Sequence, residues 1–199
     1  MAYRQILTFP NSRLREISQP VMAFDERLAK LATDLQDTLN VDGGVGLSAP
    51  QIGILRRVIY VRSSDFTGLM VNPVITESAN VERLQEGCLS FPGIYENVKR
   101  FTTIECTYFD LTGEEKSVVL KNLAAHVVQH EIEHLDGVLL IDKLSSIKRD
   151  RIRRKAQKAK RLENRSIGSQ DTPRRKKANS HLSKKEIKIR KKNRSSSKR

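Results

Sequence analysis

Only two of the 199 residues are cysteine, Cys88 and Cys106, and they stand in different surroundings. A chain with so few thiols has no disulfide framework, and in a reducing compartment two such cysteines rarely pair. One is then free for chemistry while the other is structural. Long apolar runs are missing as well. Nothing approaches the roughly 18 residues a membrane-spanning helix needs, and the opening MAYRQILTFP lacks the charged-then-apolar order of a secretory signal. These absences predict a soluble, cytoplasmic protein. No segment repeats. With 38% hydrophobic residues, a chain of this length buries one sizeable core and no second one.

The net charge of +14 is not shared evenly. Residues 1–147 carry 14 Lys and Arg against 19 Asp and Glu, a net −5, whereas residues 148–199 carry 23 against 4, a net +19. The cationic character that attracts polyanions therefore belongs to the last quarter of the chain.

Leu28, Leu31, Ala32, Leu35 and Leu39 recur at three- and four-residue steps, which predicts an amphipathic helix over 25–40 with Asp25 as its cap and Asp42-Gly43-Gly44 as its end. A loop rich in glycine and proline follows. Short β-branched runs at 57–62, 69–72, 102–109 and 116–120 read as strands, with a turn at Asp110-Leu-Thr-Gly113. Asn122 is placed to cap a second helix, whose apolar residues Leu123, Val127, Ile132 and Leu135 lead to a stop at Gly137. Val138 to Ile141 reads as strand or extended chain. The class is α+β, with a folded domain over 1–147. A basic helix is expected over 148–165. Residues 166–199 are basic and of low complexity, too poor in aliphatic side chains to offset the entropy of ordering, so disorder in isolation is expected there.

The strongest local pattern is His130-Glu131-Ile132-Glu133-His134 inside the second predicted helix. Residues four apart share a helix face, so both imidazoles point at one cation, with the Glu131 carboxylate beside them to take a proton from water. The plainer reading is a solvated helix face with two histidines. A zinc protease would need a third ligand, and downstream the only acids of the expected folded region are Asp136 and Asp142, with the next histidine the remote His181. Upstream, Cys88 in Glu86-Gly87-Cys88-Leu89-Ser90 sits in a short polar turn where a thiolate could face a metal. Cys106 alternates with Ile104 and Tyr108 in a predicted strand and reads as core. The segment Gly44-Val-Gly-Leu-Ser-Ala-Pro-Gln51 lets the backbone approach a ligand, and Gln51 offers an amide donor. By itself this segment reads as a helix-to-strand loop. It lacks the spacing of a nucleotide-binding loop.

In order and interval, GVGLSAPQ, EGCLS and QHEIEHLDG resemble the three signature motifs of peptide deformylases. The resemblance extends to FPNSRLR near the start, to Val71-Asn-Pro73 and to the turn at Asp110, covering about residues 3–144. It implies strands, mixed and antiparallel, packed around a central helix that carries the metal-binding histidines. It implies Cys88, His130 and His134 as ligands to one Fe²⁺ per chain, with Zn²⁺ or Ni²⁺ able to replace it. Glu131 would be general base and then acid, Gln51 and the Leu89 N–H the oxyanion donors, and Gly46 a neighbour of the substrate backbone. Val45, Leu84, Leu123 and Val127 would line a pocket for methionine, and Glu86 would pair with Arg100 to brace the Cys88 turn. The implied reaction is hydrolysis of the N-formyl group from the formylmethionine of nascent polypeptides, by a monomer of the compact, insertion-free type. Three positions depart from the usual pattern: Ser48 where Ala is common, Lys99 where Pro is common, and Glu133 where Asp is common. His126 shares the face of His130, from which it could reach the substrate channel, but a solvent-facing or hydrogen-bonded structural histidine is the plainer reading.

The cationic blocks that begin with Lys148, Arg149, Arg151, Arg153, Arg154 and Lys155 predict salt-sensitive contact with phosphates. The family acts on chains leaving the ribosome, which points to ribosomal RNA as the partner. No aromatic residue beyond position 147 is available to stack on bases. Two other classes stand beside the deformylase reading: an inactive relative kept as an RNA-binding module, and a metallopeptidase that releases amino acids instead of formate.

Overall fold

The computed structural model describes residues 3–170. Leu28, Leu31, Leu35 and Leu39 are all buried along one face of α1 (Glu26–Asp42), and each side chain taken out of water contributes about 1.5–3 kcal/mol. The Asp25 side chain accepts the Arg27 and Leu28 N–H groups, and Gly43, in the left-handed region at φ 75, ends the helix as its sequence predicts.

Five strands follow: β1 (Gly46–Ser48), β2 (Val58–Arg62), β3 (Thr67–Gly87), β4 (Tyr95–Phe109) and β5 (Glu115–Lys121). They form one antiparallel sheet in the order β1-β2-β3-β4-β5, so the α+β class with antiparallel strands holds. Three local expectations are corrected. The glycine- and proline-rich loop is a buried strand, β1, followed by a 3-10 turn over Ala49–Ile52. Strand β3 runs far past residue 72 and pairs with β4 from Val71↔Phe109 to Gly87↔Tyr95. From Glu77 to Arg83 its residues are exposed on both faces, so no alternation betrays a strand that backbone pairing sustains. Residues 140–143 form a 3-10 turn and not a strand.

The first register shift of β3 falls at Asn72, whose φ is 51. Its amide accepts the Val21 N–H and donates to the Val21 carbonyl, both at 2.8 Å, tying the N-terminal segment to the bulge.

Helix α2 (Asn122–Leu135) lies across the sheet. Its Ala124, Ala125, Val128 and Leu135 pack with Ile59, Met70, Ile104 and Leu120 from the strands. Asn122 does not cap it: that residue is the first of the helix, at φ 47, and no side-chain bond closes the end. Gly137 closes the other end at φ 70, where a Cβ would collide with the Arg15 carbonyl.

Helix α3 spans Ser146–Gln170 and so includes residues 166–170, which composition places in the tail. The remainder of that tail lies outside the described residues. By packing, the chain divides into residues 1–159 and 160–199; the second unit is helical as far as Gln170. In the first unit Ile152 is buried with Leu14, Phe91, Leu139 and Ile141. Lys148 and Arg151 meet the Glu96 carboxylate at 2.6 and 3.1 Å.

Asp142 ties the end of α2 to the N-terminal segment, accepting the Leu139 N–H at 2.9 Å and pairing with Arg15. Although burial pushes its carboxyl up, Arg15 and the Leu139 N–H hold it below the ordinary value. A lowered folded pKa means stability that is complete above about pH 4 and is lost as pH falls through the folded value. Asp142→Asn is therefore expected to cost about 1 kcal/mol at pH 7, with the gap to the parent narrowing as pH falls below about 4. Urea unfolding at neutral and at acid pH measures it.

Candidate metal and catalytic site

The four-residue spacing on α2 turns His130, Glu131 and His134 inward, where they are 7%, 3% and 1% exposed; a solvated face is excluded. Cys88 arrives from another direction, just past the end of β3, in a turn closed by the Phe91 N–H on the Cys88 carbonyl at 2.8 Å. Its sulfur lies 3.2 Å from His134 Nε2. One donor atom from each of Cys88, His130 and His134 lies within 4.8 Å of the other two.

The His130 Nδ1 is engaged by Glu86 Oε1 at 2.6 Å, which leaves Nε2 as the nitrogen for the cluster. Glu86 also accepts two bonds from Arg100, at 2.7 and 2.8 Å, so the expected pair is formed. Arg100, 3% exposed, reaches Glu133 with the same guanidinium, at 2.9 Å for one of the two contacts. Glu133 in turn meets Lys143 at 2.7 Å. The longer side chain at position 133 thus joins the brace that starts at Glu86.

Electrostatics follow this wiring. Burial pushes the Glu86 carboxyl up, but His130 and Arg100 bring it down to about 2. Burial also works against a charged His130, yet the Cys88 sulfur and Glu86 hold its pKa well above the histidine range. His134, buried beside it, is pushed well below. Burial raises Glu131 to about 7, against the pull of His130 and Ser48. Cys106 is fully buried and burial lifts its thiol to about 11, the inert core cysteine its strand position predicts.

Gln51 is 1% exposed and its orientation is settled. Its Oε1 accepts the Ser48 N–H and hydroxyl at 2.9 and 2.8 Å, so Nε2 faces Ser90 Oγ at 3.2 Å and Cys88 Sγ at 3.6 Å. Ser48 is a positioning residue that motif reading missed, though its S-x-x-Q spacing is the signal of a capping box. The N-terminal segment fastens both turns: the Leu7 N–H donates to the Gln51 carbonyl at 2.7 Å and the Phe9 N–H to the Ser90 carbonyl at 2.9 Å. No sequence signal marks those bonds, because they are made by backbone.

A cavity of about 710 Å³ opens over these groups. Gly46, Gln51, Cys88, Leu89, His130 and Glu131 line it, as do all four residues expected for a side-chain pocket, Val45, Leu84, Leu123 and Val127. Gly46 faces α2, where a Cβ would stand 2.7 Å from Glu131 Oε1; its bare backbone makes room for that carboxylate. His126 also lines the cavity, and its Nε2 is buried without a hydrogen-bond partner. The ring as a whole is half-buried.

A thiolate and two imidazoles suit a borderline divalent ion. His134 and His130 both present Nε2, and the second is oriented by a carboxylate, the usual partner of a metal-bound histidine. The residues present therefore fit a single metal ion.

Comparison with known proteins agrees with this geometry. Residues 3–150 match the family model described as polypeptide deformylase. A peptide deformylase of Alkalilimnicola ehrlichii is 39% identical over 174 residues, 85% of this chain and 98% of that one. The crystal structure of a peptide deformylase from Legionella pneumophila superposes with a TM-score of 0.76 at 41% identity, covering 82% of this chain and 99% of the other. The Ehrlichia chaffeensis enzyme in complex with actinonin gives 0.78 at 32% identity, over 81% and 99%. Matched over most of its length at these identities, the chain belongs to the polypeptide deformylase family.

Proposed function

We propose that this chain removes the formyl group from the N-terminal formylmethionine of nascent polypeptides, releasing formate. The observation that carries the reading is the convergence of three metal-type donors, a buried carboxyl near neutrality and an oriented amide on one cavity. Cys88, His130 and His134 hold one divalent ion, Fe²⁺ by preference with Zn²⁺ or Ni²⁺ as substitutes. Bound there, such an ion supplies Lewis acidity toward water and the formyl oxygen.

The chain's own groups do the rest. Glu131 takes a proton as the oxygen of water bonds to the formyl carbon. The Gln51 Nε2–H and the Leu89 N–H donate to the formyl oxygen as negative charge grows on it, each typically worth a few kcal/mol. The carbon–nitrogen bond then breaks, and Glu131 returns its proton to the departing amine. Gly46 lets the substrate backbone lie close, while Val45, Leu84, Leu123 and Val127 receive the methionine side chain. Glu86 and Arg100 hold His130 and the Cys88 turn in place. The test is formate release from a formyl-methionyl tripeptide by protein loaded anaerobically with Fe²⁺. Turnover is expected; metal uptake without formate would overturn the reading.

The basic C-terminal segment is proposed to dock this cytoplasmic, monomeric enzyme on ribosomal RNA. No helix among the described residues is long and apolar enough to cross a membrane. Of the cations assigned to phosphate, Lys148 and Arg151 are held by Glu96, and Arg149 reaches the Asp142 and Leu144 carbonyls. Arg153 lies 3.8 Å from Asp150, and Arg154 and Lys155 are exposed. Truncation after Ala159, which keeps the first packed unit, combined with Arg153→Ala, Arg154→Ala and Lys155→Ala, is expected to weaken co-sedimentation with ribosomes and flatten its salt dependence. Unchanged co-sedimentation at low salt would remove the docking proposal.

A further inference from the structure

The arm formed by β3 and β4 has two faces of different character. Val98, Arg100 and Ile104 turn inward and are buried, so the residues that alternate with them, Asn97, Lys99, Phe101 and Thr103, share the outer face. The register adds their neighbours: Val81 lies opposite Phe101, Arg83 opposite Lys99, and Lys121 of β5 opposite Thr103. Phe101, 39% exposed, therefore stands beside the exposed Val81. Lys99 is one step along the same strand, and Arg83 and Lys121 occupy the two diagonals, about 7–8 Å away. Among the described residues no acid pairs with Arg83, Lys99 or Lys121. Like charges directly opposite one another work against strand pairing, yet Arg83 and Lys99 are so placed in a body, residues 1–147, whose net charge is −5. The acids of this face, Glu77 and Glu105, oppose each other further along the arm, so the two signs are segregated. Gln129 of α2 fixes where the Phe101 ring is presented: its amide accepts the Phe101 N–H at 3.0 Å and donates to the Phe101 carbonyl at 2.8 Å.

We propose that this outer face binds single-stranded RNA, with a base stacked on Phe101 and the flanking phosphates on Arg83, Lys99 and Lys121. An exposed aromatic ring on a sheet accepts the face of any unstacked base, and cations beside it track the backbone. Duplex RNA keeps its bases stacked and cannot make this contact. A peptide partner gains its affinity from side chains that enter a pocket, whereas a base needs only the ring. The contact is separate from the docking proposed for the C-terminal segment, which brings cations and no aromatic residue. It is separate from the reaction as well, since Arg83, Lys99, Phe101 and Lys121 do not line the cavity.

The experiment titrates the full chain into fluorescein-labelled dodecauridylate and into an abasic ribose-phosphate dodecamer of the same charge, followed by anisotropy at several salt concentrations. The C-terminal segment binds both alike through charge, so the ratio of affinities isolates the base contact. The parent is expected to bind dodecauridylate about tenfold more tightly, the effect of one stacked base. Phe101→Ala should abolish the preference and Phe101→Tyr should keep it. Arg83→Ala combined with Lys99→Ala should lower the salt slope for dodecauridylate by about 1.4, at about 0.7 for each phosphate contact on a single strand. Equal affinities in the parent, or a preference that survives Phe101→Ala, would overturn the proposal. Phe101-dependent binding of a leucine- and glutamate-rich peptide with no base preference would overturn it too, marking the face as a protein contact. Formate release is measured in parallel and is expected to be unchanged in every variant. A Phe101-dependent base preference in a chain that releases no formate would support this inference while overturning the proposed reaction.

Discussion

Glu131→Gln is expected to lower formate release by about a thousandfold, within the range that a positioned proton-transfer group supplies, while one metal ion per chain stays bound. The carboxyl is 3% exposed and its Oε2 has no protein partner, which leaves that oxygen free to exchange a proton with a reactant. Burial raises it to about 7, where the charged and neutral forms are both accessible to a group that must accept a proton and then return it. A cation at the adjoining donors favours the carboxylate, so the acid limb of the rate profile should fall below pH 7 in the loaded enzyme. Glutamine fills the same space beside Gly46 and keeps the helix, but cannot accept the proton. Steady-state kinetics together with metal analysis separates loss of the base from loss of the metal; full activity in the variant would remove Glu131 from the mechanism.

Arg100→Leu is expected to cost about 3–5 kcal/mol of stability, the range for breaking a buried ion pair and leaving its partners uncompensated. The guanidinium is almost wholly enclosed and serves two carboxylates, Glu86 and Glu133, each through two contacts. Its removal leaves Glu86 with His130 alone and Glu133 with Lys143 alone. Since Glu86 also orients His130, metal affinity should fall by about 10–100-fold as well. Lysine is a poor substitute, because one ammonium cannot reproduce two planar forks. The pH dependence has a definite sign. Glu86 titrates at about 2 in the folded chain, below its ordinary 4.5, so its contribution is complete above pH 4.5 and lost as pH falls toward 2. The stability gap between parent and variant should be widest at neutral pH and should narrow in acid. Denaturant unfolding across pH and metal titration measure the two effects separately.

Features set by local spacing were legible before any coordinates. The leucines of α1, the Asp25 cap and the Gly43 stop lie within a few turns of one another, and helix geometry with its period of 3.6 converts that spacing directly into a face and two ends. The same holds for His130 and His134, which share a face wherever their helix is placed. Cys88 could be joined to them by family resemblance, but its nearness in space depends on β3 and on the turn that follows it. Strand β3 itself was read as four residues and is twenty-one long, because its outer half carries charged, exposed residues whose strand character comes from pairing with β4.

Other parts of the site were open to no reading of residue types. The Leu7 and Phe9 N–H groups that fasten the Gln51 and Cys88 turns are backbone, and backbone is the same in every residue. Glu133 looks like a small departure in a motif until Arg100, thirty-three positions away, is seen between it and Glu86. His126 could be placed on the face of His130, yet only the packed cavity shows that its Nε2 is left without a partner. The sequence by itself determined the class, the first two helices, the shared face of His130 and His134, and the split of charge between body and tail, since each follows from short-range spacing or composition. Tertiary structure alone decided the length of the β3–β4 arm, the two-sided brace on Arg100, the orientation of the Gln51 amide and the unpaired His126 nitrogen, because each depends on long-range packing that no short segment encodes.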